Sequence, residues 1–236
     1  MDLHFLGCGA AFQPAMGNTA AYWAEGERLL LLDCGETVFG RLLRTGALRG
    51  VKEVYVAVSH LHSDHCGSLG SLALYCRYVL GAPLKLLVPD REGYIDSLRS
   101  LMTLYGVSSQ DYALIRSRAL PGFAAFTDLR YVPTEHAPGM ECFSFVLETP
   151  EGGVFYSADT CTTEQLKAFI SAHDHIHRIY METTLDENPH GVHLSLSKLA
   201  AVLPPPLRGI TYLMHLNSAD CRAAGEKLGF KTVCVE

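Results

Sequence analysis

Four side chains that bind metals well stand within six residues of this chain, in the run His60-Leu61-His62-Ser63-Asp64-His65. The run follows segment 53–58, whose apolar and β-branched residues predict a buried strand, and a helical pattern begins after it. Because side chains alternate along an extended chain, the first two histidines point the same way and can share one metal. Asp64 and His65 fall where the chain turns into the helix and can face a second metal. Imidazole and carboxylate are the usual ligands of zinc, so the pattern favours a metal site over a merely polar loop.

The run also has the spacing of the HxHxDH motif of the metallo-β-lactamase superfamily, and the chain resembles that family beyond it. Three further residues follow in the family's order, each at or near the end of an apolar segment: His136, Asp159 and His215. Taken singly, each has a simpler explanation, since a lone histidine is more often a satisfied side chain at a core edge and Asp159 could cap the helix near Thr162. Taken together, they extend the resemblance over nearly the whole chain.

The resemblance implies a dinuclear metal centre and hydrolysis. The expected ligands are His60, His62 and His136 for one cation, Asp64, His65 and His215 for the other, and Asp159 between the two. The expected cofactors are two divalent ions, zinc before manganese or iron, which the same donors accept. Such a pair makes hydroxide available from a bridging water at neutral pH, and Asp64 would hold that nucleophile in line. Cys66 and Cys161 lie beside the motifs, but the ligand set is complete without them, so we interpret both as small apolar residues.

Composition is that of one large domain. The 236 residues are 48% hydrophobic, which is enough for a substantial core, and we expect a single domain over residues 1–236. The N-terminus lacks the basic start and long apolar run of a signal peptide, and no segment is long enough for a membrane span. The eight cysteines are scattered without a C-x-x-C pair, which favours reduced thiols. We therefore expect a cytoplasmic protein without membrane association.

Strand-like and helical segments alternate along the chain, which indicates two packed sheets covered by helices. The resemblance implies an α/β fold, the four-layer αβ/βα sandwich of the metallo-β-lactamases. The predicted strands are 3–6, 20–24, 28–33, 53–58, 84–88, 129–132, 143–148, 153–156, 178–181, 210–214 and 231–235. The predicted helices are 37–44, 67–79, 93–105, 163–171, 195–202 and 218–228. Region 84–126 is the least readable; its pattern around Tyr105 and Tyr112 looks helical, and it could cap the site or form a subunit interface.

The superfamily hydrolyses lactams, lactones, thioesters, sulfate esters and phosphodiesters, so the fold does not name the substrate. Glu182 ends one predicted strand and His193 precedes a predicted helix, between the bridging aspartate and the last histidine. This arrangement resembles the extra histidine of the tRNase Z and related phosphodiesterase branch. The resemblance implies that His193 contacts the phosphate or protonates the leaving oxygen, with Glu182 orienting it. A simpler explanation is that His193 only precedes Ser195, an N-cap.

Two departures from the tRNA-processing enzymes change the expected substrate. Those enzymes carry a long arm between the third histidine and the bridging aspartate, whereas here that connection is hairpin-sized, with a turn at 150–153. The formal net charge of −6 also lacks the basic footprint of a large nucleic-acid partner. We therefore expect a phosphodiesterase acting on a small or cyclic phosphodiester. Dimers are common in this branch, so the resemblance also implies a homodimer.

Other functions stay open at the level of sequence. A lactone or carboxyl-ester hydrolase on the same metals would need an oxyanion donor, and the candidates are Tyr22, Tyr75, Tyr105 and Tyr156. A tRNase Z-type endonuclease or a metal-binding protein without activity fits less well. The latter would be expected to have lost ligands.

Several neighbours of the motifs have expected supporting roles. Asp33, in Leu32-Asp33-Cys34-Gly35, resembles a carboxylate of the superfamily that orders the loop of residues 60–65, here called the metal loop, by accepting a ligand's outer N–H. Asn18 is a candidate substrate contact. We expect His190 to be exposed in a loop near His193, and His173 to be either exposed to solvent or in contact with the C-terminus of a helix.

Overall fold

The computed structural model describes residues 2–116, 120, 122–185, 187 and 191–235, and its strands form two six-stranded sheets. In the first sheet the spatial order follows the chain, with antiparallel pairing as far as β3 and parallel pairing after it. Its strands are β1 (His4–Gly7), β2 (Ala20–Glu25), β3 (Arg28–Leu32), β4 (Glu53–Ala57), β5 (Leu84–Leu87) and β6 (Tyr112–Ile115).

The second sheet mirrors the first, running from antiparallel strands at one edge to parallel strands at the other. Its strands are β7 (Asp128–Thr134), β8 (Cys142–Thr149), β9 (Gly152–Tyr156), β10 (Ile176–Glu182), β11 (Thr211–Met214) and β12 (Lys231–Thr232). The connection between β8 and β9 is a tight hairpin, as the sequence predicts.

Helices cover the outer face of each sheet. The first group is α1 (Val38–Thr45), α2 (Ser63–Cys66), α3 (Leu69–Tyr75), which continues as a π-helical turn over Cys76–Leu80, and α4 (Glu92–Leu104). The second group is α5 (Glu164–Ala172), α6 (Leu196–Val202), α7 (Pro205–Arg208) and α8 (Ala219–Lys227). Within the described residues, no helix combines the length and apolarity needed to cross a bilayer.

Alternating side chains on the central strands build three separate apolar layers. On β3, Leu29 and Leu31 pack under α1, α3 and α4, while Leu30 and Leu32 face the other sheet. On β9, Phe155 packs under the second helix group while Tyr156 faces inward. Each fully buried leucine of this kind stabilises the fold by about 1.5–3 kcal/mol. The layers give the α/β four-layer αβ/βα sandwich that the sequence resemblance predicts.

Parallel strands end at one edge of each sheet, and the two edges meet. Asp33 follows β3, the metal loop follows β4, Asp159 follows β9 and His215 follows β11. Carboxyl ends of parallel strands are where α/β sheets place ligand sites, because the chain leaves the sheet there to form loops. The topology therefore brings residues from both halves of the chain to one place.

The structure corrects the prediction in three segments. Tyr112 begins strand β6 instead of continuing a helix, so residues 84–126 contribute β5, α4 and β6 to the first sheet and its cover. The helix expected over 67–79 begins only at Leu69, after a turn, and ends in the π-helical turn. The last strand is only Lys231–Thr232. His190 lies outside the described residues.

Candidate metal centre

Three imidazoles converge where β4 and β7 end. His62 Nδ1 lies 3.0 Å from His60 Nε2 and 3.2 Å from His136 Nε2. Bonds of 2.0–2.1 Å at tetrahedral angles place neighbouring nitrogen ligands about 3.3 Å apart. The three nitrogens therefore have the spacing that one shared cation requires.

A second group of donors lies against the first. Asp64 Oδ2 is 3.2 Å from His215 Nε2 and 3.4 Å from His65 Nε2. Asp159 Oδ1 approaches the same two imidazoles, at 3.2 Å from His65 and 3.4 Å from His215. All four side chains are buried. Two carboxylates and two imidazoles out of water form a donor set suited to a divalent cation.

Asp159 lies between the two groups. Its Oδ1 faces His65 and His215, and its Oδ2 is 3.6 Å from His136 Nε2 in the first group. A single carboxylate thus presents one oxygen to each group, which is the geometry that a bridging ligand needs.

Two properties show whether these residues fit metal ions: buried polar atoms that lack a hydrogen-bond partner, and the pKa values of the donor side chains. His65 Nε2 and Asp159 Oδ1 are buried without a hydrogen-bond partner, which is costly unless another group occupies the space between them. Burial lowers the pKa of His60 and of His136, so both imidazoles are neutral near pH 7, as ligation requires. Burial alone would raise the pKa of Asp64, but hydrogen bonds from His215 and His65 hold it well below its usual range. The donors fit divalent metal ions.

Asp33 is the main support of the metal loop. Its Oδ1 accepts the backbone N–H of Ser59 (2.7 Å), and its Oδ2 lies 2.8 Å from His65 Nδ1 and 3.0 Å from Ser59 Oγ. This leaves His65 Nε2 free to face the site. His136 is fixed in the same way, because its Nδ1 lies 2.7 Å from the carbonyl of Val192. An outer hydrogen bond of this kind sets both the tautomer and the ring direction of a ligand.

Three residues at strand ends have left-handed backbone conformations that non-glycine residues seldom adopt. Asp33 has φ 65°, Ala158 has φ 48° and His215 has φ 53°. They follow β3, β9 and β11. Such strain persists only where surrounding contacts impose it, and it concentrates at functional sites. For His215, the backbone N–H donates to Thr19 Oγ1 at 3.1 Å.

His193 stands beside both donor groups. Its Nδ1 is 3.1 Å from each carboxylate oxygen of Glu182, and its ring centre lies 5.0 Å from that of His136 and 5.1 Å from that of His215. Burial opposes protonation, yet the hydrogen bond and charge of Glu182 raise the pKa of His193 to about 9. Burial in turn raises the pKa of Glu182. The site therefore holds an imidazolium at its rim near pH 7, with Glu182 buried beneath it.

The loop that carries His193 is tied to β10. Thr184 donates its N–H to the carbonyl of Leu194, and Leu196 donates to the carbonyl of Thr184, both at 2.9 Å. Ser195 caps α6 by accepting from the N–H of Lys198. The cap anticipated from the sequence is thus present, and it anchors the segment that presents His193.

Other sequence candidates occupy different positions. Asn18 is buried and exchanges two hydrogen bonds with Thr37, so it is not an exposed substrate contact. Cys66 donates its thiol to the carbonyl of His62, and among the described residues no metal-binding group includes a cysteine. His173 does assist the end of α5, with Nδ1 2.8 Å from the Phe169 carbonyl.

Three of the tyrosines considered as oxyanion donors are held in packing contacts, and the hydroxyl of the fourth, Tyr156, is buried without a hydrogen-bond partner among the described residues. Tyr22 stacks on His4, Tyr75 packs against Phe39, Tyr105 packs over Gly70, and Tyr156 is fully buried between the sheets.

Two residues that support the site were not predicted from the sequence. Ser59 is buried and links Asp33 to His60 Nδ1, at 3.0 Å, directly before the motif. Thr19 joins the Gly9 carbonyl to the N–H of His215. Neither residue type is a metal ligand, so spacing alone gave no signal for them.

The comparisons with known proteins agree with this geometry. A family model described as Anti-Pycsar protein Apyc1 matches residues 1–234. The chain belongs to this family. Relatives of the same description include that of Bacillus phage 010DV004, 29% identical over 238 residues that cover 91% of this chain and 88% of the phage protein. The relative in Paenibacillus harenae is 28% identical over 226 residues, covering 91% and 89%.

Several solved structures have the same fold as this Apyc1-family chain. The metallo-β-lactamase fold protein YhfI from Bacillus subtilis has a TM-score of 0.70 and 19% identity, covering 98% of this chain and 93% of its own. Human tRNase Z, short form, has a TM-score of 0.68 and 18% identity, covering 100% and 97%. A diphosphatase of the PhnP family has a TM-score of 0.69 and 17% identity, covering 99% and 94%. These structures share the metallo-β-lactamase fold that the sequence resemblance predicts for this chain.

Proposed function

We propose that this chain is a metal-dependent phosphodiesterase that acts on a small or cyclic phosphodiester. The observation that carries the proposal is the His193–Glu182 pair, with both Nδ1–oxygen distances at 3.1 Å and the ring against both donor groups. A cationic imidazole at the rim suits an anionic phosphate and has a proton to give.

The proposed ligands divide as the two donor groups do. One cation would be held by His60, His62 and His136, the other by Asp64, His65 and His215, with Asp159 between them. Zinc is the first candidate because imidazole and carboxylate are its usual ligands, with manganese and iron as alternatives. When bound, such cations activate water and neutralise charge on a phosphoryl oxygen.

The protein's own groups complete the reaction. Asp64 stays ionised, because hydrogen bonds from His215 and His65 keep its pKa low, and it can accept a hydrogen bond from the attacking water. His193 donates either to a phosphate oxygen or to the leaving oxygen, through the nitrogen that Glu182 does not bind. Glu182 keeps His193 protonated and oriented, while its Oε1 also accepts the N–H of Thr160 at 2.7 Å.

A small substrate is favoured by charge and by shape. The formal net charge of −6 disfavours a large polyanion. The connection between His136 and Asp159, which the structure describes throughout, consists of the β8–β9 hairpin, whose strands end at Thr149 and begin again at Gly152. This described connection holds no arm long enough to grip a folded RNA.

The test is hydrolysis of bis(p-nitrophenyl) phosphate by protein loaded with zinc or manganese. Metal-stripped protein and the Asp64→Ala variant serve as controls, with a panel of lactones in parallel. Phosphodiester turnover that both controls lose, with lactones inert, supports the proposal. Active lactones with a silent phosphodiester would overturn it in favour of a lactone or carboxyl-ester hydrolase.

We also propose that the protein is a homodimer and acts in the cytoplasm. Among the described residues, the eight cysteines form no disulfide with one another, which is compatible with a reducing compartment. Sedimentation velocity of the metal-loaded protein gives the oligomeric state: twice the chain mass supports a dimer, and the chain mass contradicts it.

A further inference from the structure

Asn217 lies two residues after His215, the last of the proposed metal ligands. Within the described residues its side-chain amide makes two hydrogen bonds, and both go to the residues that follow β10. Nδ2 donates to Thr184 Oγ1 at 2.7 Å, and Oδ1 accepts the backbone N–H of Leu185 at 3.3 Å. The amide therefore joins the segment after β11 to the segment after β10, across 33 and 32 positions of the sequence.

Asn217 is attached to a backbone that is held on both sides. Before it, the N–H of Leu216 donates to the carbonyl of Cys8 (2.7 Å), and the carbonyl of Leu216 accepts the N–H of Ala10 (3.0 Å). Leu216 itself is fully buried. After Asn217, Ser218 is the N-cap of α8. The amide thus projects from a fixed base, which allows it to hold another segment in place.

Thr184 is the link between Asn217 and the segment that carries His193. Its hydroxyl accepts from Asn217, while its backbone N–H and carbonyl pair with Leu194 and Leu196 at 2.9 Å each. Leu194 directly follows His193 in the sequence. A displacement of Thr184 would therefore be passed on to the backbone that presents the imidazole.

The position of the His193 ring depends on more than its contact with Glu182. Glu182 lies 3.1 Å from Nδ1 with both oxygens and so sets the direction of the ring. That contact does not fix the backbone that carries the ring, and the Asn217 amide supplies this constraint through Thr184. Close positioning matters for a group that acts on substrate, since a misplacement of about 1 Å can lower a rate by about 100-fold.

We propose that Asn217 is a positioning residue for His193, and that it acts by holding Thr184 and Leu185 beside the segment that carries the imidazole. The inference rests on the proposed phosphodiesterase activity and deepens it, because it adds a residue on which the action of His193 depends. Asn217 acts through Thr184 and not through contact with the substrate.

Three substitutions separate this role from ordinary stabilisation. Asn217→Leu keeps the approximate size of the side chain and loses both hydrogen bonds. Thr184→Val keeps the shape of the side chain and loses the hydroxyl that accepts from Asn217, whereas Thr184→Ser keeps this hydroxyl and serves as the rescue. Thr103→Val is the matched control, because it removes an exposed threonine hydroxyl on α4 that donates to the carbonyl of Arg99 at 2.9 Å.

The first measurement is a double-mutant cycle on the hydrolysis of 3′,5′-cyclic AMP by zinc-loaded protein, with the metal content of each variant determined. We expect kcat/KM to fall by about ten-fold or more in Asn217→Leu and Thr184→Val. It should stay near the wild-type value in Thr184→Ser and Thr103→Val. In the His193→Ala background, Asn217→Leu should cause little further loss, since the group that it positions is gone.

The second measurement does not need activity. In zinc-loaded protein labelled with ¹⁵N at histidine, the Nδ1–H proton that His193 donates to Glu182 gives a resonance that is identified by its absence in His193→Ala. We expect this resonance to shift or broaden in Asn217→Leu and Thr184→Val. It should stay unchanged in Thr184→Ser and Thr103→Val.

Two outcomes overturn the inference. One is a loss in Asn217→Leu that is equally large with and without His193, which would make Asn217 a purely structural residue. The other is a His193 resonance that Asn217→Leu and Thr184→Val leave unchanged. If Asn217→Leu does not fold, Thr184→Val takes its place in both measurements. If no phosphodiester is hydrolysed, the proposed function fails, and the resonance still decides the role of Asn217 separately.

Discussion

At the scale of single residues, burial and neighbouring charges have opposite effects on the protonation of the site's side chains. Glu182 is completely buried, and its carboxylate is compensated by His193 and by the N–H of Thr160. The same pairing opposes the effect of burial on His193 and raises its pKa to about 9. Asp33 forms the corresponding contact with Nδ1 of His65. Each pair joins a group facing the site to a carboxylate behind it.

Replacing His193 by alanine distinguishes its two candidate roles. If it protonates the leaving oxygen, kcat should fall by about 100-fold or more for a 3′,5′-cyclic nucleotide, whose leaving group is a poor alkoxide. For bis(p-nitrophenyl) phosphate the loss should be much smaller, because nitrophenolate leaves without a proton. Equal losses for both substrates would instead assign His193 to binding the phosphate.

Removing the charge of Glu182 should shift the pH dependence of kcat/KM. His193 is protonated below its pKa of about 9, so activity that needs this proton is present below that pH and is lost as pH rises through it. Glu182→Gln removes the anion that raises the pKa, so the alkaline limb of kcat/KM should shift to lower pH. A profile unchanged in position would contradict the orienting role of Glu182.

Replacing Asp33 by asparagine tests the support of the metal loop. The amide cannot reproduce both acceptor contacts, one with the Ser59 N–H and one with His65 Nδ1. We expect metal affinity to fall by about 10–100-fold, as measured by competition with a chromogenic chelator. Glu164→Gln, on an exposed turn of α5, is the matched control and should keep wild-type affinity.

At the scale of elements, the metal loop is positioned by close backbone contact. A β-carbon on Gly35, just after β3, would clash with the backbone carbonyl of Asp64. The same turn brings the N–H of Cys34 to the carbonyl of His65 (2.7 Å). Only glycine permits this approach. The connection from β3 to α1 therefore fixes the position of the loop that follows β4.

Gly35→Ala should therefore displace the loop, and we expect it to lower the free energy of unfolding by about 1–3 kcal/mol and to weaken metal binding. Gly40→Ala is the control. It lies inside α1 with ordinary contacts and should stabilise the protein by about 0.5–1 kcal/mol, since alanine favours a helix. Urea unfolding with and without metal measures both effects. Wild-type metal affinity in Gly35→Ala would contradict this account.

At the scale of the whole molecule, the candidate metal centre lies where the two sheets meet. The loop after β4 brings ligands from the first sheet, while His136, Asp159 and His215 come from the second. Ions bound there would connect halves of the chain that otherwise meet through the apolar layer between the sheets. Stability should therefore depend on metal.

Loading with zinc should raise the melting temperature of the stripped protein. A ligand at 1,000 times its Kd stabilises the native state by about 4 kcal/mol, which corresponds to roughly 8–16 °C for a chain of this size. Differential scanning calorimetry measures the shift, and elemental analysis of the dialysed protein gives the number of ions per chain. One ion, or no shift, would contradict the dinuclear proposal.

Local patterns along the chain are sufficient to predict the fold class and most of the residues that the structure brings together in the candidate metal centre. The strand–loop–helix pattern around 53–79 located the metal loop, and Asp159 and His215 were identifiable because each directly follows an apolar segment. Alternation of strands and helices gave the fold class. These features depend on neighbours in the sequence, where side-chain period and turn chemistry decide the conformation. Strand β6 was missed because it is four residues long and only partly buried, which leaves little periodic signal.

How closely these groups approach one another, and how that changes their protonation, was decided by the tertiary structure alone. Glu182 and His193 are eleven positions apart, yet a 3.1 Å contact sets the protonation of the imidazole. Asp33 reaches His65 from the end of another strand, and Asn18 exchanges hydrogen bonds with Thr37. Contacts of this kind depend on how distant strands align, and desolvation and charge act over that distance in space irrespective of separation along the chain.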